Sequence, residues 1–207
     1  TRLTADFFKG LTGDIDSTLA TAVATIRENP ISDHCVAMAL LGMALGIEMG
    51  FDAPNVRTLG LAALLHDWGM ARIPRGICDA PRRLTEDEYF EIAKHPVYTL
   101  RLLEVMCGIP AVVPLVAYQV HERNNGSGYP QGRMGDRIHI MAKILHVADT
   151  YSALISPRPY RPALMPYAAI ECLVRQAATG DADPAVVRAL LMIQSLYAIG
   201  SHVALSD

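Results

Sequence analysis

The stretch Leu61-Ala62-Ala63-Leu64-Leu65-His66-Asp67-Trp68-Gly69 decides how this chain is read. An apolar helical run ends in an imidazole and a carboxylate on adjacent residues, and Gly69 then breaks the pattern. Neighbouring helical side chains diverge by about 100°, so the two groups cannot stack on one face, but they can flank one point in a cavity. Neutral imidazole and carboxylate are the usual donors for a divalent metal. A polar helix terminus with a solvated Asp67 has the same sequence, so the meaning of the dipeptide depends on the rest of the chain.

At 207 residues the chain fits one domain, or one with a small appendage. It is 51% hydrophobic with only 6% aromatic residues, which favours an aliphatic, Ala/Leu/Met-rich all-α interior over a β-sandwich. The longest apolar run, 35–47, ends at Glu48. A membrane span needs about 18 apolar residues or more, so this run reads as a core helix and no membrane insertion is expected. The chain opens at Thr1 with no basic-then-apolar leader, which implies a fragment or processed form and a cytoplasmic location. Cys35, Cys78, Cys107 and Cys172 form no CxxC and read as free thiols, buried or incidental. A net charge of −3 argues against binding a nucleic-acid polymer.

Residues 1–30 read as an N-terminal helical segment stopped by Asn29-Pro30, and 31–207 as the main domain. Ser32 or Asp33 caps a helix reaching about Gly50, with His34 in its first turn, where a surface or capping role is the common one. Helix 55–67 carries His66-Asp67. The loop 68–85 follows, and long structureless loops of this kind are usually functional. Thr85 and Glu88 form a capping-box pattern that starts a helix running to Met106, with a kink or break at His95-Pro96. Helix 110–121 ends at His121, and a glycine-rich loop occupies 122–137. Helix 138–155 holds Asp149 among apolar positions, which is costly unless a cation accompanies it. Helices 166–179 and 184–197 close the chain, and the alternation at 201–205 suggests a short C-terminal strand.

Six residues thus recur at the ends or inside of apolar helices: His34, His66, Asp67, His95, His121 and Asp149. One carboxylate can bridge two ions, so four imidazoles and two carboxylates suffice for a binuclear metal centre able to clamp a phosphoryl group. Mixed His/Asp ligation suits iron or manganese, with nickel or zinc as alternatives.

The order H…HD…H…H…D, followed by Asn125-Gly126-Ser127-Gly128-Tyr129-Pro130, resembles the HD-GYP family of HD-superfamily phosphohydrolases. The resemblance runs from about residue 31 to the end. It takes in Ile73-Pro74, Leu84-Thr85, His95-Pro96, His121-Glu122-Arg123, Gly128-Tyr129-Pro130, Ala148-Asp149, Arg158-Pro159-Tyr160-Arg161 and the closing Gly200-Ser201 segment. It implies an HD-type helical bundle with a metal site in its core. The implied activity is hydrolysis of cyclic di-GMP by a hydroxide held on two divalent ions, which lowers a bacterial second messenger. His34, His66, Asp67 and Asp149 would hold one ion; Asp67 would bridge to the other, completed by His95 and His121. His66 and Asp67 are then the catalytic pair. Arg158 and Arg161 would pair with phosphate, and Tyr129 or Tyr160 would stack on guanine or hydrogen-bond it. The partner expectations are a homodimer, and diguanylate-cyclase-type or other signalling proteins docked on the GYP loop.

Charge distribution agrees with an anionic substrate. Loops 68–85, 122–137 and 156–166 carry nine arginines against three acidic residues, in a chain that is negative overall. Departures from the family pattern favour an alternative, a catalytically weakened domain that binds cyclic di-GMP or a protein. Met70 stands where the family has a Lys, for which Arg72 or Arg75 would have to substitute. Val120 replaces the first of two tandem histidines, and Pro30 replaces a Glu that serves a third metal. His146, three residues before Asp149, reads as a core or supporting histidine rather than an extra ligand.

Overall fold

The central helix, α1 (Pro30–Glu48), is apolar on every side, and Met38, Ala39, Met43, Ala44 and Leu45 on it are fully buried. Such a helix has no solvent face and takes the middle of a bundle. A computed structural model describes residues 30–157 and 161–194. Among them are nine α-helices and two short 3-10 turns, with no strand, and Asn125 and Met134 form an isolated bridge. The helices expected within 1–29 and the strand expected at 201–205 lie outside the described residues.

Against α1 pack α2 (Ala53–Leu65), α7 (Ile140–Ile155) and α9 (Pro184–Ile193). The cap expected at Ser32 or Asp33 is not where the helix starts: α1 begins at Pro30, where the missing N–H would have had no partner in any case. His34 therefore lies one turn inside the helix. Asp52 caps α2 by accepting from the Asn55 N–H at 3.0 Å. The expected loop 68–85 contains a 3-10 turn, Trp68–Arg72, and the one-turn α3 (Arg75–Cys78).

The capping box at Thr85 is present. Thr85 Oγ1 accepts from the Glu88 N–H at 3.3 Å, and the Glu88 carboxylate accepts from the Thr85 N–H at 2.9 Å. Of the expected kink or break, the structure has a break: α4 (Glu86–Ile92) and α5 (His95–Glu104) are separate helices, parted at Ala93-Lys94. Pro96 sits in the first turn of α5 and breaks no hydrogen bond there. After α6 (Val112–Gln119) the glycine-rich loop leads through the 3-10 turn Gly135–Arg137 into α7. The last two helices are α8 (Pro166–Thr179) and α9, with Asp183 capping α9 through the Ala185 N–H.

Leu59, Val113, Val116, Ile144, Leu145, Leu173, Val186 and Leu190 form the core with α1. Each such side chain contributes about 1.5–3 kcal/mol on burial. All four cysteines are free thiols; Cys78 and Cys107 are exposed, and Cys35 and Cys172 are half-buried. No helix among the described residues is long and apolar enough to cross a membrane.

Candidate metal centre

His66 is the first residue beyond α2. Its Nδ1–H donates to the Ala63 carbonyl at 2.8 Å, which turns Nε2 inward. That Nε2 is buried and has no hydrogen-bond partner, although Asp67 Oδ1 lies 3.2 Å away. An uncompensated buried nitrogen lone pair is costly, and a cation satisfies it.

The chain then passes under the start of α5. The Gly69 N–H donates to Thr99 Oγ1 at 2.8 Å, and the Thr99 hydroxyl donates to the His66 carbonyl at 2.8 Å. A Cβ on Gly69 would fall 2.1 Å from the His95 carbonyl oxygen, so only glycine allows this approach. The approach brings His95 to Asp67, with Nε2 3.2 Å from Oδ1. His95 repeats the His66 pattern, its Nδ1–H donating to the Ile92 carbonyl at 2.8 Å across the α4–α5 break.

His121, just past α6, brings its Nε2 to 3.0 Å from His95 Nε2 and its Nδ1 to 3.7 Å from Asp149 Oδ2. His34 Nε2 lies 3.0 Å from Asp149 Oδ1. The donors fall into two groups, each spanning no more than 4.8 Å: His34, His66 and Asp149, and His66, Asp67 and His121. The six side chains singled out in the sequence therefore meet in one place, from α1, the end of α2, α5, the end of α6, and α7.

The electrostatics match the donor set. Burial alone would raise the Asp67 carboxyl, but the surrounding His66, His95 and His121 imidazoles outweigh it and hold the group well below the usual carboxylate range. Asp149 is likewise held low against burial, by its hydrogen bond with His34 and by His121. Burial, with His95 alongside, pushes His121 down to about 3, so it is neutral and able to ligate. Cys35 also faces this region. Burial and the Asp67 and Asp149 carboxylates push its thiol up to about 12, so it stays protonated.

Around the centre, Tyr129 stacks on His121 at 5.0 Å and 17°, and meets His95 and Tyr89 edge-on. Burial pushes its phenol well above the ordinary tyrosine range. Glu122, next to His121, is buried and fastens the loop from inside: its two carboxylate oxygens accept from the Gln131 and Arg133 N–H groups at 2.9 and 2.8 Å. A Cβ on Gly128 would lie 2.4 Å from the His121 carbonyl, so the GYP loop closes tightly on the ligand-bearing residue.

Val120 is fully buried in the core, and its carbonyl accepts from His146 Nδ1 at 3.2 Å. His146 falls in neither donor group. Arg72 and Arg75 are exposed, without an ion pair among the described residues. Arg161 is committed to backbone carbonyls, donating to Ala153 and Leu154 at the end of α7 and to Pro162. Arg158 and Tyr160 lie outside the described residues. Thr99 gave no sequence signal, because its partners are 30 and 33 residues away.

The family model of the HD domain matches residues 19–186. The chain belongs to this family. It is an HD domain of the HD-GYP kind, as its ordered motifs imply, and HD-domain phosphohydrolases depend on metal. The chain is 36% identical to a cyclic di-GMP phosphodiesterase of Pseudomonas aeruginosa over 84% of its own length and 42% of that protein's. It is also 36% identical to RpfG, a cyclic di-GMP phosphodiesterase response regulator of Xanthomonas campestris, over 84% of its own length and 46% of the relative's. The HD domain described here thus spans less than half of these relatives. Among solved structures, it is similar in fold to an HDG"Y"P protein of Bdellovibrio bacteriovorus. That match has a TM-score of 0.67 at 19% identity and covers 92% of this chain and 68% of the other.

Proposed function

We propose that this HD domain hydrolyses a phosphodiester bond of cyclic di-GMP on two divalent ions, iron or manganese ahead of nickel or zinc. The observation that carries this reading is the position of Asp67 Oδ1, 3.2 Å from His66 Nε2 and 3.2 Å from His95 Nε2. A carboxylate so placed between imidazoles from two elements is suited to bridge a pair of ions. His34, His66 and Asp149 are read as holding one ion with it, and His95 and His121 as completing the other. When bound, such ions polarise a phosphoryl oxygen and lower the pKa of a bound water towards neutrality.

The residues do the rest. Asp67 and Asp149 supply two negative charges that persist at neutral pH, and burial keeps His121 neutral. The backbone carbonyls of Ala63 and Ile92 fix the tautomers of His66 and His95. Tyr129 covers His121 and presents an aromatic edge and a protonated phenol to a guanine base. Arg72, Arg75 and Arg158 are read as cations for the phosphates and Tyr160 as a second aromatic contact; Arg161, also expected at a phosphate, is instead bonded to the carbonyls at the end of α7. The names of the two curated relatives support the choice of substrate.

One observation favours a second reading, a domain that binds cyclic di-GMP with little turnover. Met70 occupies the 3-10 turn beside the centre where the family pattern has a Lys. Elemental analysis and a hydrolysis assay with added manganese or iron separate the two readings. Two ions per chain, with linear product lost in His66→Ala and Asp67→Ala, establishes the enzyme. Stoichiometric cyclic di-GMP binding without turnover, under every metal, overturns it.

A further inference from the structure

The α8–α9 hairpin supplies no donor to the centre, yet its turn grips the arm of the loop that leads to Tyr129. Asp181 Oδ1 accepts from Asn125 Nδ2 at 2.8 Å and from the Ser127 hydroxyl at 3.2 Å, and it lies 3.6 Å from the Arg123 guanidinium. Asp181 Oδ2 accepts from the Thr179 hydroxyl at 3.1 Å. Two residues on, Asp183 Oδ2 accepts from Asn124 Nδ2 at 3.2 Å and from Lys143 Nζ at 3.1 Å.

These contacts divide the loop into two arms. Glu122 fixes residues 131 and 133, after Tyr129, from inside the fold. Residues 123, 125 and 127, before Tyr129, are all fixed by one carboxylate from outside. Asp181 remains ionised, because its partial burial is outweighed by the donors from Asn125, Thr179 and Ser127 and by the Arg123 charge. Hydrogen bonds to a charged acceptor are the strong kind, so this carboxylate has the means to set the geometry of the arm.

We propose that Asp181 is a positioning residue of the centre, acting through Asn125, Ser127 and Arg123 to seat the Tyr129 ring on His121. Its effect on catalysis rests on the cyclic di-GMP reading above. Its effect on the ring stack does not. Without Asp181 the upstream arm keeps its backbone contacts, among them the Tyr129 N–H donating to the His121 carbonyl at 3.1 Å, but loses the side-chain anchor of residues 123, 125 and 127, and the Tyr129 ring sits less firmly over the imidazole. The C-terminal hairpin then acts as a strut that preorganises the substrate side of the centre, a task separate from metal binding.

The test uses D181A and D181N in the full chain. The Asn keeps an oxygen that accepts from Asn125 and Ser127 but loses the charge facing Arg123. The first readout is the ring resonances of His121 in metal-free protein, shifted by the stacked Tyr129. In D181A they move towards their position in Y129A while those of His34 and His66 hold, and in D181N they move less than half as far. The second readout is turnover at unchanged metal content. In D181A the KM for cyclic di-GMP rises about tenfold with kcat within about twofold of wild type, and D181N restores most of the loss. A role in stability alone lowers the folded fraction, leaving KM and the His121 resonances of the folded protein as they were; that result overturns the proposal. If the wild type hydrolyses no cyclic di-GMP, the functional reading fails, and the His121 resonances still decide the role of Asp181.

Discussion

A Cβ on Gly69 would stand 2.1 Å from the carbonyl oxygen of His95, closer than any packed carbon approaches an oxygen. The contact couples the turn after His66-Asp67 to the first residue of α5, and so sets the His95–Asp67 distance. Gly69→Ala must push α5 away. The expected result is a loss of about 1–3 kcal/mol in stability from overpacking. Metal affinity should fall by about 10–100-fold, the usual result of disturbing the groups that orient ligands. Chemical denaturation and metal titration of the variant check both.

Thr99 holds the same joint by hydrogen bonds, donating to the His66 carbonyl and accepting from the Gly69 N–H. Thr99→Val keeps the shape and strands two buried backbone groups, at a cost of about 1–3 kcal/mol each. Thr99→Ser keeps the hydroxyl and should recover most of the stability. Denaturation midpoints of the pair measure the difference, and equal loss in both would assign the effect to packing.

The sequence marks the donors more clearly than what holds them. His66, His95 and His121 stand at breaks in apolar periodicity, and Asp149 is a carboxylate inside an apolar helix, so each conflicts locally with its surroundings. His34 is harder to read, because a cap at Ser32 or Asp33 puts it in the first turn, whereas α1 starts at Pro30 and His34 lies a turn further in. The break between α4 and α5 was legible at His95-Pro96. Thr99 and Asp181 are not legible, since the partners that give them their roles lie 30 to 58 residues away and neither disturbs any local pattern. Glu122 reads as one more loop acid until its burial beneath residues 131 and 133 is seen.

Burial lowers both His121, to about 3, and His146. In the unfolded chain each titrates near the ordinary value of 6.5. Between those limits the unfolded chain binds protons that the folded chain refuses, so the stability of the metal-free protein falls as pH falls below about 6.5. His121 alone should remove about 2 kcal/mol between pH 7 and pH 5. Asp67 and Asp149, held low in the folded state, contribute stability that is present above the ordinary carboxylate range and lost on further acidification. Urea midpoints of chelator-treated protein across pH 4–8 check the sign; a flat profile between pH 5 and 7 would contradict it.

Glu122→Gln replaces one acceptor oxygen with an amide NH2 facing the backbone N–H of residue 131 or 133. One of those hydrogen bonds becomes a donor–donor contact, and the other loses its charge assistance. Stability should fall by about 1.5–3 kcal/mol. The Tyr129–His121 stack should loosen from the downstream side, opposite to the arm that Asp181 holds. Combining E122Q with D181A should therefore move the His121 ring resonances further than either change alone.

Met70 is half-buried in the 3-10 turn that follows Asp67, and no side-chain cation occupies that position. If the family's Lys contacts the scissile phosphate, its absence removes one preorganised charge, and a single such donor is typically worth about 10²–10³ in rate. Met70→Lys should then raise kcat for cyclic di-GMP by about tenfold or more and leave metal stoichiometry unchanged. If Arg72 or Arg75 already serves the phosphate, M70K changes little, whereas Arg72→Ala or Arg75→Ala lowers kcat in the wild-type background. The three variants, assayed under the same metal, show which cation faces the reacting phosphate.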